Sequence, residues 1–283
     1  RGYYGIPYNN LNAYGDEVLR YLRRYDVDYV DVRDVFRDAD MKAKDIFYHT
    51  DHHWTVPSAF YATGKIIDHL NQKFEANLDP DGYYRDLNNY TIETYSHIYM
   101  GSQGRDAGLI YSRRLDDYSF LYPKFATNYH YYSRYKGGKE ANKDGPIERT
   151  LIDRKYLDYA DPYDREMNNS YLQGVVRFDQ IDNKLNPNGP TALFIRDSYS
   201  SPVATFLSPM FSRIELLWSL HFSPTGDGSI QKMLEKKHFD YVFVALALDN
   251  FTNEGTPFYT DDPKAAENGD ADVAAQGQDP AAH

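Results

Sequence analysis

The chain has 283 residues, 41% of them hydrophobic, which is ample for one large buried core or two smaller ones. Its net charge of −11, from 31 basic against 42 acidic residues, argues against a nucleic-acid-binding surface, which needs clustered Lys and Arg. The chain has no Cys, which excludes disulfides, thiolate nucleophiles and Cys-bound metals.

Helical spacing through Val18, Leu19, Leu22 and Tyr25 predicts a helix over Asp16 to Tyr25. Val27 to Phe36 alternates apolar and polar residues and predicts a strand running into a loop. After the cluster Tyr48-His49-Thr50-Asp51-His52-His53-Trp54-Thr55, an amphipathic helix is predicted over Ser58 to Phe74. Pro57 and Ser58 punctuate its start, and Phe60, Ile67, Leu70 and Phe74 share a face.

From about residue 79 to 190 the pattern becomes irregular. Gly, Asn, Asp and Tyr are frequent, strands are short, and Lys136 to Gly145 reads as a flexible polar loop. This predicts a β-leaning insertion within an α/β domain spanning residues 1–260. Tyr accounts for 28 residues, many between Tyr83 and Tyr135. They form either a tyrosine-rich core or a carbohydrate-facing surface, since a phenol stacks on sugar C–H faces while its hydroxyl hydrogen-bonds.

Regularity returns at Thr191. Strands are predicted at Thr191 to Ile195, Arg213 to Leu220 and Phe239 to Leu248, with helices at Ser201 to Leu207 and Ile230 to Lys237. Apolar strands alternating with helices predict a parallel sheet covered on both faces. The longest strong apolar run, Tyr241 to Leu248, is strand-sized and falls short of the ~20 residues of a membrane span. Residues 261–283 carry six acids against Lys264 alone and predict a disordered acidic tail. The chain opens at Arg1 without an apolar export segment, as a processed form or a fragment would.

Two segments carry chemistry. Asp51 and His53, two apart on a segment read as extended, point the same way, so the carboxylate can fix one tautomer of the imidazole. Trp54 is the large apolar neighbour expected to limit water or stack on a substrate. Far along the chain, Phe194-Ile195-Arg196-Asp197-Ser198-Tyr199 ends a strand in a polar turn, with Pro202 in the first turn of the next helix. Ser198 is there either a helix cap or a nucleophile whose oxyanion the helix N-terminus stabilises. The His-rich segment has two other readings: a solvated turn, or a metal site using His49, Asp51, His52 and His53. Four ligands within five residues do not easily surround one ion, so no metal is expected.

Thr50-Asp51-His52-His53-Trp54-Thr55 followed by a helix, with Asp197-Ser198-Tyr199 after a strand, resembles the DHHW family of bacterial surface proteins. These are relatives of the alginate O-acetyltransferases. The resemblance spans about residues 26–250 and includes Met100-Gly101-Ser102-Gln103-Gly104-Arg105. It departs after the third strand, where Trp218-Ser219-Leu220-His221 stands in place of the expected Asp and Arg.

The resemblance implies a flavodoxin-like, three-layer α/β/α, SGNH-hydrolase-like domain, with part of its N-terminal sheet missing. The order acid, base, nucleophile is permuted relative to ordinary SGNH hydrolases. Asp51 would orient, His53 act as base and Ser198 as nucleophile. Gly101, Ser102 and Gln103 would lend amides to the oxyanion or form a plain turn, with Tyr199 and Trp54 lining the substrate. No cofactor is implied. The expected partners are an acetyl donor, a polysaccharide acceptor and a membrane-bound acyl carrier, in an extracytoplasmic or cell-surface setting. An acetylesterase and a non-catalytic glycan-binding protein of the envelope remain the alternatives.

Overall fold

In the computed structural model, which describes residues 10–135, 138–174, 176–218 and 230–251, four helices precede the first strand. They are α1 (Leu11–Arg24), α2 (Val32–Asp38), α3 (Ala43–Ile46) and α4 (Val56–Phe74). Strands β1 (Tyr90–Tyr99) and β2 (Asp116–Pro123) flank the short helices α5 (Ser102–Ala107) and α6 (Leu109–Ser112). Then come β3 (Tyr129–Arg134), β4 (Glu140–Gly145), α7 (Ile147–Thr150) and β5 (Phe178–Asn183). The last stretch runs β6 (Thr191–Arg196), α8 (Ser200–Leu207), β7 (Arg213–Trp218), α9 (Ile230–Lys236), β8 (Tyr241–Ala245) and α10 (Leu248–Phe251).

These elements fall into two compact units. The smaller contains α1, α9 and α10, and α1 contacts α10. Helix α1 ends on Arg23 and Arg24, which complement its C-terminal dipole. The larger contains the other helices and all eight strands.

The six-stranded sheet of the larger unit has the order β4-β3-β5-β7-β6-β8. It is mixed rather than wholly parallel. β6 runs parallel to β7 and β8, while β5, β3 and β4 add antiparallel pairs. The reason lies in the connections: only five residues separate β3 from β4, too few for anything but an antiparallel pair, whereas parallel neighbours need a crossover. A separate antiparallel pair joins β1 to β2, with Tyr95 opposite Tyr118.

Helix α4 starts where Thr55 Oγ1 accepts the Ser58 amide at 3.3 Å, with Pro57 in the first turn. It stops at Glu75, which takes a left-handed conformation with φ 52°. Phe60, Ile67 and Leu70 on its inner face are buried, and Phe60 meets Phe206 of α8 edge-on at 5.1 Å. Truncating such a buried ring to Ala costs about 3–5 kcal/mol.

Three local expectations need correcting. Val27 to Phe36 is not a strand, because Asp31 accepts the Arg33 amide at 3.0 Å and caps α2, placing Phe36 against Ile46 and Ala62. Glu140 to Gly145, expected in a loop, is β4. It pairs with β3 alone and alternates exposed with half-buried residues, which is how a sheet edge tolerates polar sequence. The third parallel strand is shorter than predicted: β8 ends at Ala245, and Leu248 already starts α10.

The tyrosines divide clearly. Tyr90, Tyr99, Tyr118, Tyr129, Tyr131 and Tyr171 are buried core residues, while Tyr83 is exposed. Residues 219–221 of the departing segment and the expected acidic tail at 261–283 lie outside the described residues. Among the described residues no helix is long and apolar enough to cross a membrane.

Candidate active site

The segment between α3 and α4 is a tight hairpin. Phe47 bridges Trp54, the Tyr48 amide donates to the His53 carbonyl at 3.2 Å, and the Thr55 amide donates to the Ile46 carbonyl at 2.8 Å. Its tip is pinned from β2. Asp116 accepts the His49 amide (2.9 Å), the Thr50 amide (2.7 Å) and the Thr50 hydroxyl (2.7 Å). Asp51 and His53 therefore lie together for a different reason than strand alternation. Asp51 Oδ1 accepts the backbone N–H of His53 at 2.8 Å, a turn that folds the side chain back over its own loop.

Five donors converge on the buried Asp51 carboxylate. Oδ1 receives the His53 amide, His53 Nδ1 at 2.5 Å and Asn168 Nδ2 at 3.1 Å. Oδ2 receives the Tyr99 hydroxyl at 2.7 Å and the Ser102 amide at 2.9 Å. Burial pushes the Asp51 pKa up. The hydrogen bonds and charge of His53, with the Tyr99 hydroxyl, outweigh it and hold the carboxyl well below the usual carboxylate range. A carboxylate bound in this way fixes His53 with its proton on Nδ1, leaving Nε2 free to accept. The Asn168 side-chain amide lies beside His53 Nδ1, next to the same carboxylate oxygen.

His53 Nε2 lies 2.6 Å from Ser198 Oγ, although 145 positions separate the two residues. Ser198 lies just past β6, after Asp197, at the carboxyl edge of the parallel strands where such sheets place ligands. Its turn is fixed on both sides. Asp197 Oδ1 accepts the Tyr199 amide at 3.0 Å, and the Asp197 amide and Ser200 hydroxyl both donate to the Ala245 carbonyl. Tyr199, rather than Ser198, occupies the cap position of α8, and it makes no side-chain cap bond. Among the described residues nothing engages the Ser198 amide.

Behind the nucleophile turn, Arg196 is fully buried and paired with Asp179 at 2.5 Å. Its Nη1 donates to Ser201 Oγ at 3.1 Å, and the Tyr131 hydroxyl donates to Asp179. Burial pushes the Asp179 carboxyl up to about 6, while the Arg196 charge and the Tyr131 hydroxyl pull it back.

An aromatic wall closes the other side. The Tyr199 ring lies 4.9 Å from the His53 ring and 5.7 Å from Trp54, and its hydroxyl donates to the His52 carbonyl at 2.5 Å. Ser198 and His53 open onto a cavity of about 20 Å³ walled in part by Tyr48, Trp54, Val56, Tyr118 and Tyr171.

The amides of Gly101, Ser102 and Gly104, expected at the oxyanion, already have partners. The Gly101 amide donates to Thr50 Oγ1 at 2.9 Å, the Ser102 amide to Asp51 and the Gly104 amide to the Thr50 carbonyl at 2.8 Å. Gln103 is exposed. These amides brace the acid loop instead. Ligand atoms of Asp51, His52 and His53 lie within 4.8 Å of one another, but Asp51 and His53 are spent on each other and on Ser198. Nε2 of His49 lies 3.3 Å from the Ser112 carbonyl.

Sequence reasoning did not single out Tyr99, Asp116 or Asn168. Each reaches the acid loop from a distant element, and nothing local in the sequence marks it.

Residues 7–90 match the family model of the SGNH hydrolase-like domain of the acetyltransferase AlgX, a stretch that includes Asp51 and His53 but ends before Ser198. No curated protein sequence matches the chain significantly. Among solved structures, the chain is similar to a DHHW family protein from Eubacterium siraeum. The TM-score is 0.57 at 15% identity, covering 86% of this chain and 69% of that one. It is also similar to Bacillus cereus PatB1 carrying a sulfonyl adduct, with TM-score 0.66 at 17% identity over 89% of this chain and 75% of that one. A second PatB1 structure gives 0.63 at 16% identity, covering 89% and 80%. The chain thus has the mixed α/β fold of the SGNH hydrolase-like proteins, and its N-terminal third resembles their acetyltransferase branch.

Proposed function

We propose that this protein is a serine-dependent O-acetyltransferase acting on a cell-surface or exported polysaccharide through an acetyl ester of Ser198. One observation carries the reading: a continuous hydrogen-bonded line from Asp51 through both nitrogens of His53 to Ser198 Oγ, with contacts of 2.5 and 2.6 Å. A hydroxyl is a poor nucleophile at neutral pH unless a base takes its proton, and this line supplies the base.

In the first half-reaction Ser198 Oγ attacks the acetyl carbonyl carbon and gives its proton to His53 Nε2. The new C–O bond forms, and the carbonyl π electrons move onto oxygen. Asp51 stabilises the imidazolium that results. The Ser198 amide, just before α8, serves as a donor to the oxyanion. Collapse expels the donor's leaving group, which takes the proton from His53. In the second half-reaction His53 deprotonates a sugar hydroxyl, which attacks the acetyl-Ser198 ester and regenerates the serine. Trp54 and Tyr199 flank this path as substrate contacts. A membrane-bound acyl carrier is the natural source of the acetyl group, and an extracytoplasmic location follows from the acceptor.

Two comparisons support the reading. Part of the chain matches an acetyltransferase family model. PatB1, of the same fold, has been captured with a sulfonyl adduct. Sulfonyl electrophiles react with activated hydroxyls.

The test is incubation with an acetylated donor ester and an unacetylated glycan. Acetylated glycan is expected from the wild type. Base catalysis and oxyanion donors each contribute about 10²–10⁴-fold, so Ser198→Ala should lose essentially all turnover. Wild-type rates from Ser198→Ala would overturn the proposal, and free acetate without acetylated glycan would favour an esterase.

A further inference from the structure

We infer that Asn168 is a positioning residue for the acid–base pair: its side-chain N–H shares Asp51 Oδ1 with the His53 ring and so limits how tightly the carboxylate holds a proton on the imidazole. The inference rests on the acyl-transfer reading above and adds a residue to it.

Asn168 Nδ2 donates to Asp51 Oδ1 at 3.1 Å, the oxygen that also receives the His53 amide and His53 Nδ1. Of these three donors, it alone comes from a distant part of the chain, 117 positions away. The acid does not need it for satisfaction. An ionised carboxylate offers about four lone-pair sites, and five donors converge on Asp51. Asn168 therefore competes with the imidazole for Oδ1 rather than filling an empty site. It also borders the cavity onto which Ser198 and His53 open.

The surrounding chain holds Asn168 there. It is half-buried within a single turn, Met167–Ser170, whose end residues are fully buried. Before the turn, Arg165 donates to the Ile98 carbonyl at 3.2 Å and to the Tyr159 carbonyl at 2.7 Å. At its end, the Ser170 carbonyl accepts the Asp153 amide at 2.8 Å. Leu172 and Gln173 then take left-handed conformations, with φ 53° and 55°. Non-glycine residues in that region are uncommon, and they gather where a precise position is required.

The consequence is electrostatic. A hydrogen bond to a carboxylate favours its charged form and draws charge toward the donor. Less of the Oδ1 charge is then left to stabilise a protonated imidazole. His53 Nε2 stays free to take the proton of Ser198 Oγ, 2.6 Å away, and releases it readily when the leaving group departs. The other titratable groups facing the pair are His52, Tyr99 and Tyr199. His52 Nδ1 lies 3.6 Å from Asp51 Oδ1, and its ring lies 4.0 Å from that of His53. The Tyr99 hydroxyl binds Asp51, and the Tyr199 ring lies 4.9 Å from the His53 ring. Burial pushes the Tyr99 phenol well above its usual range, so it stays protonated. Replacing Asn168 alters none of these groups, so a shift in the titration of the pair reports its amide.

Asn168→Leu keeps the volume and removes the N–H. The full chain carrying nitrogen-15 histidine is titrated by NMR through the His53 ring nitrogens, whose signals His53→Ala identifies by their loss. The pH profile of kcat/KM for 4-nitrophenyl acetate and a melting curve accompany it. Asn168→Leu should raise the His53 titration midpoint and the acid limb of kcat/KM together, by about 0.5–1 pH unit. At neutral pH, kcat/KM should fall about 10–10²-fold as the ring loosens. A midpoint and acid limb that stay at the wild-type values overturn the inference, and a lowered melting midpoint alongside them would make Asn168 structural only. If Asn168→Leu does not fold, Asn168→Ala, which overpacks nothing, is read in the same way, and failure of both to fold also overturns the inference. A wild-type chain without ester turnover would sink the acyl-transfer reading, while the NMR midpoint would still decide the part played by Asn168.

Discussion

Gly101 packs against Asp51 so closely that a methyl group on Gly101 would lie 2.2 Å from both the Cβ and Oδ2 of Asp51. Its backbone, with φ −76°, suits any residue, so the requirement is steric and comes from the acid. Gly104 stands in the same relation to Thr50, at 2.7 Å from its Cβ. The Gly-Ser-Gln-Gly segment is therefore the mould in which the acid loop is cast.

Gly101→Ala should displace the Asp51 carboxylate from His53. We expect a stability loss of about 1–3 kcal/mol from overpacking, with ester turnover falling well beyond what that loss explains. Gly108→Ala is the control: its Cβ would meet nothing within 4 Å, although φ +82° makes the backbone unfavourable. It should lower the melting midpoint and leave turnover of the folded protein alone.

Asp51→Asn keeps the shape of the site but removes the charge that steadies the imidazolium. In a triad of this kind the loss approaches 10⁴-fold in kcat. The acid also makes a pH prediction. Its folded pKa lies below the ~3.9 of an unfolded Asp, so the folded chain sheds this proton more readily than the unfolded one. The stabilisation is present above about pH 4 and is lost as the pH falls through the folded value. Denaturant melts of wild type and Asp51→Asn should differ by a constant amount between pH 5 and 7 and converge in stronger acid. A gap that widened on acidification would contradict the assignment.

Arg196 and Asp179 form a fully buried pair whose guanidinium also holds Ser201, in the first turn of the helix that follows Ser198. Asp179→Ala leaves that cation without its counter-charge, and breaking a buried pair in this way costs about 3–5 kcal/mol. The melting midpoint should fall sharply. A change within about 0.5 kcal/mol, the range of ordinary surface substitutions, would mean that Arg196 finds compensation elsewhere.

Much of this was legible in the sequence, for identifiable reasons. Helix α4 announced itself through Pro57 and the spacing of Phe60, Ile67 and Leu70, and β6 through an apolar run ending at Arg196. Asp51, His53 and Ser198 drew notice because an acid, a base and a hydroxyl stood at a loop and a strand end. Other features were hidden. Asp31 looked like the polar member of an alternating strand until its carboxylate was seen capping α2. The strand character of Glu140 to Gly145 comes only from β3 beside it. Tyr99, Asp116 and Asn168 converge on the site from separate elements. Such long-range convergence leaves no local mark, and the oxyanion role expected of Gly101 and Ser102 yielded to the nearer claim of Asp51 and Thr50 on their amides.

The most direct test of the account is labelling with a small sulfonyl fluoride, followed by peptide mass spectrometry of wild type, His53→Ala and Ser198→Ala. The account predicts one adduct, on Ser198, formed by the wild type, slowed at least about 10²-fold in His53→Ala and absent from Ser198→Ala. A label on another residue, or one on Ser198 that forms equally fast without His53, would show that the imidazole does not activate this hydroxyl.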